Sequence, residues 1–343
     1  MPAKSIYLDH AATTPLLPAA RDAMLAGFEI WANPSSPHQA GRKARAALED
    51  ARARIKVALD WDGEVIFTSG ASEALALAIS RCVQPLARVS AVEHEAVQRF
   101  ADNARRIGVS ALGLVDPTDC AVAGLVAVQQ VNNEIGVVQP LAAVAEAVHG
   151  AGGLLLADCA QGAGKLPLPL SADLIALTAH KFGGPVGVGA LLVKDWAMLR
   201  PSGGQERGYR GGTENLPAVL AMVAALQAGA DWLGIATVLR DVLDRAVTAA
   251  GGESLCEAAA RVPSIAAYRM PGKSANAQLI RLDAMGIAVS AGSACSSGSL
   301  SVSHVLEAIG YPHAGEVIRV SLGRETTRVQ VDALIAAWLA AAA

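Results

Sequence analysis

Short, largely apolar runs alternate with longer amphipathic ones through the middle of the chain. Residues 65–68, 88–92, 125–131, 154–158 and 174–178 are rich in Val, Ile, Leu and Ala and end at polar or glycine turns. Short apolar runs of this kind predict strands buried on both faces. Elsewhere the period lengthens. In 39–59, Ala44, Ala47, Leu48, Ala51 and Ile55 share one face and the arginines lie largely off it, which predicts a long helix. Residues 18–30, the stretch from Ala74, 138–149 and 217–250 also read as helical. Residues 33–38 hold two prolines and an Asn-Pro pair, and read as a loop. Alternation from Glu64 to Val193 predicts a mostly parallel sheet with right-handed crossovers. Gly251-Gly252 marks a break before a smaller lobe of short strands and helices.

In open α/β sheets, ligands sit beyond the carboxyl ends of strands, and here those ends carry the chemistry. The strand at 174–178 runs into His180-Lys181 and turns away at Gly183-Gly184-Pro185. Lys181 is either a candidate Schiff-base lysine, with Thr178 and His180 as phosphate contacts, or a surface lysine in a turn. Ser69-Gly70-Ala71-Ser72-Glu73 opens a helix after a strand. It is either an anion site at a helix N-terminus or an ordinary cap. His94 follows the next strand as a general base, a stacking partner for an aromatic cofactor, or a polar helix start. Asn132-Asn133 offers amides at the same edge or a plain turn. Asp158 closes an apolar strand and needs a partner: a protonated pyridine nitrogen would serve, and so would a helix N-terminus. Five strand ends thus bring Ser72, His94, Asn133, Asp158 and Lys181 towards one edge.

Composition removes some alternatives. A length of 343 residues allows a large core and two lobes. A net charge of −3 without a basic block argues against nucleic acid as the main partner. The start, MPAKSIYLDH, turns polar too early for a secretory leader, and the apolar run after Asp332 is too short to span a bilayer. The five cysteines form no CxxC pair, which suits a reducing cytoplasm and neither a disulfide scaffold nor a zinc site.

Two features of the later sequence add chemistry. The loop from Gly203 to Thr213 is glycine-rich and doubly basic, able to wrap an anion. Cys295 lies in a run of small residues, 291–299, where an exposed thiol suits a nucleophile that must travel; it is otherwise an unremarkable loop cysteine. Arg319 stands inside an apolar strand, where it needs a carboxylate, and a substrate carboxylate would serve.

From Tyr7 to about Thr327 these motifs resemble the cysteine desulfurases of the class V aminotransferases, in the long-loop subgroup that serves iron–sulfur assembly. They read YLDHAATTP, NPSSPHQAGR, VIFTSGASE, VEHEAV, VNNEIGVVQP, ADCAQGAGK, TAHKFGGPVGVGALLV, QERGYRGGTEN, SAGSACSSGSLSVSHVL and IRVSLGRETT. The resemblance implies an α/β protein of the pyridoxal-phosphate aminotransferase fold type I. A large domain, 15–235, with a mostly parallel central sheet would bind the cofactor. A smaller α/β domain, 1–14 with 236–343, would carry the Cys295 loop. It implies pyridoxal 5′-phosphate held covalently by Lys181, with Asp158 on the ring nitrogen, Gln161 on the ring hydroxyl and His94 stacked on the ring. Ala71 (through its backbone), Ser72, Thr178 and His180 would hold the phosphate, and Thr213 would reach the phosphate of the other subunit of a homodimer. Asn133 and Arg319 would hold the substrate carboxylate. L-cysteine would become L-alanine, with sulfur leaving as a persulfide on Cys295 for an acceptor or iron–sulfur scaffold protein. No resident metal is implied, although Cys295 could transiently share a cluster. A selenocysteine or cystine lyase, or an aminotransferase of the same fold, is the alternative; transamination does not need Cys295. The sequence departs from the family's pattern at His10, at Thr178 where Ser is commoner, and at Cys159, expected as a second thiol near the cofactor. It also ends soon after GRETT, without the extension by which longer relatives dock the scaffold.

Overall fold

The computed structural model describes residues 5–292 and 302–342; Cys295 lies outside them. In chain order the elements begin with β1 (Ile6–Tyr7), α1 (Pro18–Phe28), α2 (Gln39–Ala58), β2 (Glu64–Thr68), α3 (Ala71–Arg81), β3 (Leu86–Ser90) and α4 (Glu95–Gln98). Next come β4 (Arg105–Ile107), β5 (Leu125–Gln129), α5 (Leu141–Gly150), β6 (Leu154–Asp158), β7 (Leu174–Thr178), β8 (Gly189–Val193), α6 (Leu216–Gln227) and α7 (Leu233–Ala249). The chain closes with β9 (Glu253–Ser254), β10 (Ile265–Arg269), α8 (Ala275–Ala284), β11 (Ile287–Ala288), α9 (His304–Ala308), β12 (Val317–Ser321) and α10 (Arg328–Ala342).

Seven strands form the large sheet in the order β2-β8-β7-β6-β5-β3-β4. Only β8 runs against its neighbours. It follows β7 through one 3-10 turn and a glycine-rich loop with no α-helix between them, so the expected crossover is missing there. Successive residues point to opposite faces, and each face is apolar. Val126, Val128, Leu155, Ile175 and Leu192 join the core under α2, α5 and α6. Leu125, Ala127, Leu156, Leu174 and Leu191 pack with α3 on the other side.

A second core surrounds the antiparallel sheet β12-β10-β9 and the parallel pair β1-β11. Tyr268 and Trp338 meet edge to face at its centre, 6.2 Å between rings. Leu8 is buried in this core, so the N-terminal segment packs with the C-terminal part of the chain.

One arginine of α2 does not follow the amphipathic reading. Arg52 is buried and forms a bidentate pair with Glu206, at 2.9 and 3.0 Å, and also donates to the Val65 carbonyl. Glu206 in turn accepts from the Phe67 N–H at 2.8 Å, tying the 205–213 loop to β2. Removing one partner of a buried pair strands the other charge. Arg52→Leu is therefore expected to destabilise the fold by about 3–5 kcal/mol, read as a lowered urea midpoint. Adding Glu206→Leu should recover part of the loss.

Candidate active site

The parallel strands end at one edge, around a cavity of about 410 Å³. Ser72, His94, Asn133, Asp158 and Lys181, the five strand-end candidates, all line it, as do Ala71, Gln161, Thr178, His180 and Arg319. Thr213 is exposed and does not.

β7 is buried along its length and passes into a single tight turn, 179–181, which sets Lys181 beyond the sheet. Its Nζ donates to the Ala11 and Ala12 carbonyls at 2.6 and 2.8 Å. The same N-terminal segment is fastened by Thr14 N–H to the His180 carbonyl, 2.8 Å. These carbonyls of the YLDHAATTP motif carry no side-chain signal, and sequence reasoning missed them.

Asp158 ends β6 almost wholly buried, and its Oδ1 accepts from the Ala160 N–H at 2.9 Å. Burial pushes its carboxyl up; the Ala160 N–H, His94 and Lys181 pull it back. Such a carboxylate suits a cation brought against it. Gln161 donates through Nε2 to the Ala11 carbonyl at 2.8 Å. Cys159, the next residue after Asp158, does not line the cavity: it is buried in the sheet core, and burial raises its thiol well above the ordinary range.

The 69–73 turn answers the question of capping. Gly70 offers no side chain, and Glu73 reaches back to accept from Ser69 N–H at 2.5 Å while Arg210 Nε donates to it at 2.8 Å. Burial works to raise the Glu73 carboxyl, but the Arg210 and Ser69 bonds hold it below its usual range. Ser72 therefore does not cap. It and Ala71 line the cavity in the first turn of α3, where N–H groups lack helical acceptors. A Cβ on Gly70 would stand 3.5 Å from Thr178 Oγ1, in the gap between the α3 N-terminus and the end of β7. Arg210 is paired with Glu73, and Arg207 with Glu64 at 3.2 Å. The doubly basic loop thus spends its charges within the chain rather than wrapping an anion.

His94 is both helix start and cavity residue. Its Nδ1 accepts from Ala96 N–H at 3.1 Å, capping α4, so a neutral ring carries its proton on Nε2. Burial lowers its pKa against the opposing pull of Asp158, with Lys181 adding to the fall, and this favours the neutral ring. His180 meets Thr13 Oγ1 at 3.2 Å, and burial lowers it to about 4. Arg319, 1% exposed, donates to the Asn133 carbonyl at 3.0 Å and to Asp9 at 2.8 Å. The carboxylate partner expected for it is thus present within the chain, while the guanidinium still borders the cavity.

His10 lies under this site, 8% exposed, its ring so close to Gly323 that a Cβ there would fall 2.1 Å away. Burial lowers it to about 4 from 6.5. The unfolded chain therefore binds the extra proton, and stability present above about pH 6.5 is lost as pH falls towards 4. His10→Asn is expected to flatten that part of the urea midpoint–pH curve.

A phosphate-sized anion fits beside α3, Thr178 and His180, a ring cation beside Asp158, and a carbonyl within reach of Lys181. The donor set of this cavity therefore fits pyridoxal phosphate.

The family model for class-V aminotransferases matches residues 6–334. A cysteine desulfurase of Cereibacter sphaeroides is 36% identical over 96% of this chain and 94% of its own. Among solved structures, a NifS-like protein from Rickettsia africae superposes with a TM-score of 0.89 at 29% identity, covering 98% of this chain and 99% of that one. SspA, solved in complex with cysteine, superposes with a TM-score of 0.80 at 26% identity, covering 94% and 100%.

Proposed function

Because the chain belongs to the class-V aminotransferases and, within them, to the cysteine desulfurases, we propose that its cavity binds pyridoxal 5′-phosphate and converts L-cysteine to L-alanine. The sulfur passes to Cys295 as a persulfide. One observation carries the reading: Lys181, Asp158, Gln161, His94 and the α3 N-terminus converge on a single cavity.

When bound, the cofactor supplies an electron sink for the substrate's amine-bearing carbon. Lys181 would anchor it and would also be the amine that moves the proton at that carbon. Asp158 would keep the ring nitrogen protonated, and Gln161 would donate to the ring oxygen. His94 packs on the ring and offers its Nε2 proton. Ala71, Ser72, Thr178 and His180 hold the phosphate. Arg319 and Asn133 orient the substrate carboxylate, with Asp9 setting the guanidinium. The Cys295 thiolate attacks the substrate sulfur: the S–S bond forms, the Cβ–S bond breaks, and its electron pair is taken up as the carbon is protonated to alanine.

The product persulfide feeds a sulfur acceptor or scaffold for iron–sulfur clusters or other thio-cofactors. The same reading gives a homodimer in which Thr213 serves the partner's phosphate. Its support is the exposure of Leu25, Phe28 and Trp31 in and after α1, Trp31 at 80%. It divides the chain into a large domain, 15–235, and a small one, 1–14 with 236–343, supported by the packing of Leu8 with Ala236 and Leu239. It also places the enzyme in the cytoplasm, where the free thiols of Cys82, Cys120, Cys159 and Cys256 would persist. Among the described residues no helix is long and apolar enough to cross a membrane. The test is alanine release from L-cysteine by the cofactor-loaded protein; no alanine from a protein with a normal cofactor spectrum rejects the proposal.

A further inference from the structure

Lys165 follows Gln161 by four residues in the turn after β6 and is 8% exposed. Its Nζ donates to Gln161 Oε1 at 3.3 Å, while Gln161 Nε2 donates to the Ala11 carbonyl at 2.8 Å. The amide is therefore held from both ends. Flipped, it would set its oxygen against the Ala11 carbonyl and its N–H groups against the lysine donors, two repulsive contacts. Gln161 lines the cavity and Lys165 does not. An amide nitrogen carries two hydrogens. One goes to Ala11, and the other is what the held orientation leaves for the cavity.

We propose that Lys165 is a positioning residue that locks the Gln161 amide in the orientation presenting an N–H donor, so that this point of the cavity selects an anionic oxygen on the bound ring. The inference rests on reading the cavity as a pyridoxal-phosphate site, where that oxygen is the ring's own. Burial, with the like charges of Lys181 and Arg319, brings Lys165 down to about 7. Its bond to Gln161 survives deprotonation, because a neutral amine still donates.

The test is the pH midpoint of the visible absorption band of the cofactor-loaded protein. A donor to the anionic oxygen favours its charged form and holds the midpoint down. In Lys165→Met, a buried chain of similar volume without a donor, the midpoint is expected to rise by about one pH unit. Lys165→Gln keeps an N–H donor and should hold the wild-type midpoint. Gln161→Leu should raise it, and Lys165→Met added to Gln161→Leu should raise it no further. An unmoved midpoint in Lys165→Met, or a further rise in the double variant, overturns the proposal. Should Lys165→Met not accumulate as folded protein, Lys165→Gln decides: a wild-type midpoint supports the proposal and a midpoint like that of Gln161→Leu overturns it. A wild-type protein without any visible band would instead sink the cofactor reading, and this inference with it.

Discussion

Lys181→Ala is expected to abolish the visible band of the loaded protein and to lower alanine formation by about 10³-fold or more. Two losses combine in it. The covalent anchor disappears, and so does the amine that moves the substrate proton, a step for which a positioned group supplies about 10²–10⁴-fold. The fold should survive, since Lys181 donates to two backbone carbonyls at the cavity wall and belongs to neither hydrophobic core. Absorption and alanine assays on the same preparation check it. An unaltered band in the variant would move the anchor to another lysine. Lys165 is the alternative to examine, buried against Gln161.

Cys295→Ser is expected to separate cofactor binding from sulfur transfer. The band and the cofactor affinity should match wild type, because none of the residues proposed to hold the cofactor is changed. Alanine and sulfide formation from L-cysteine should fall below detection, because a serine hydroxyl is neither ionised at neutral pH nor able to accept sulfur as a thiolate does. Alanine and sulfide at the wild-type rate would remove Cys295 as the acceptor. Retained amino transfer without sulfur release would favour an aminotransferase of the same fold.

The edge of the sheet was legible because buried strands leave strong marks. Residues 154–158 and 174–178 coincide with β6 and β7, and the polar residues that follow each strand have few other places to go. Boundaries failed where side chains replace the ladder. The strand expected at 88–92 ends at Ser90, since the Val92 carbonyl accepts from the Gln129 and Asn132 amides instead of a neighbouring strand. The helix expected from Val138 begins at Leu141, because Val138 pairs with Val131 and donates to the Ala260 carbonyl, and Pro140 stands at the cap. Arg52 could not be read from α2, as its partner is 154 positions away. The same holds for Asp9 and Arg319, 310 positions apart. Local patterns report local partners, and this site depends on distant ones.

That distance bears on how the enzyme is made. The segment from Leu8 to Thr14 sits in the C-terminal core through Leu8, meets Arg319 through Asp9, and supports Lys181 through Ala11 and Ala12. While the ribosome is still adding the last part of the chain, the first residues have no Arg319 to meet and no second core to enter. Closing so long a loop comes late in folding. The large sheet can form earlier, but the wall that holds Lys181 waits for β12. On this view the contacts that brace Lys181 are completed only in nearly full-length chains, and fragments that stop before β12 lack them.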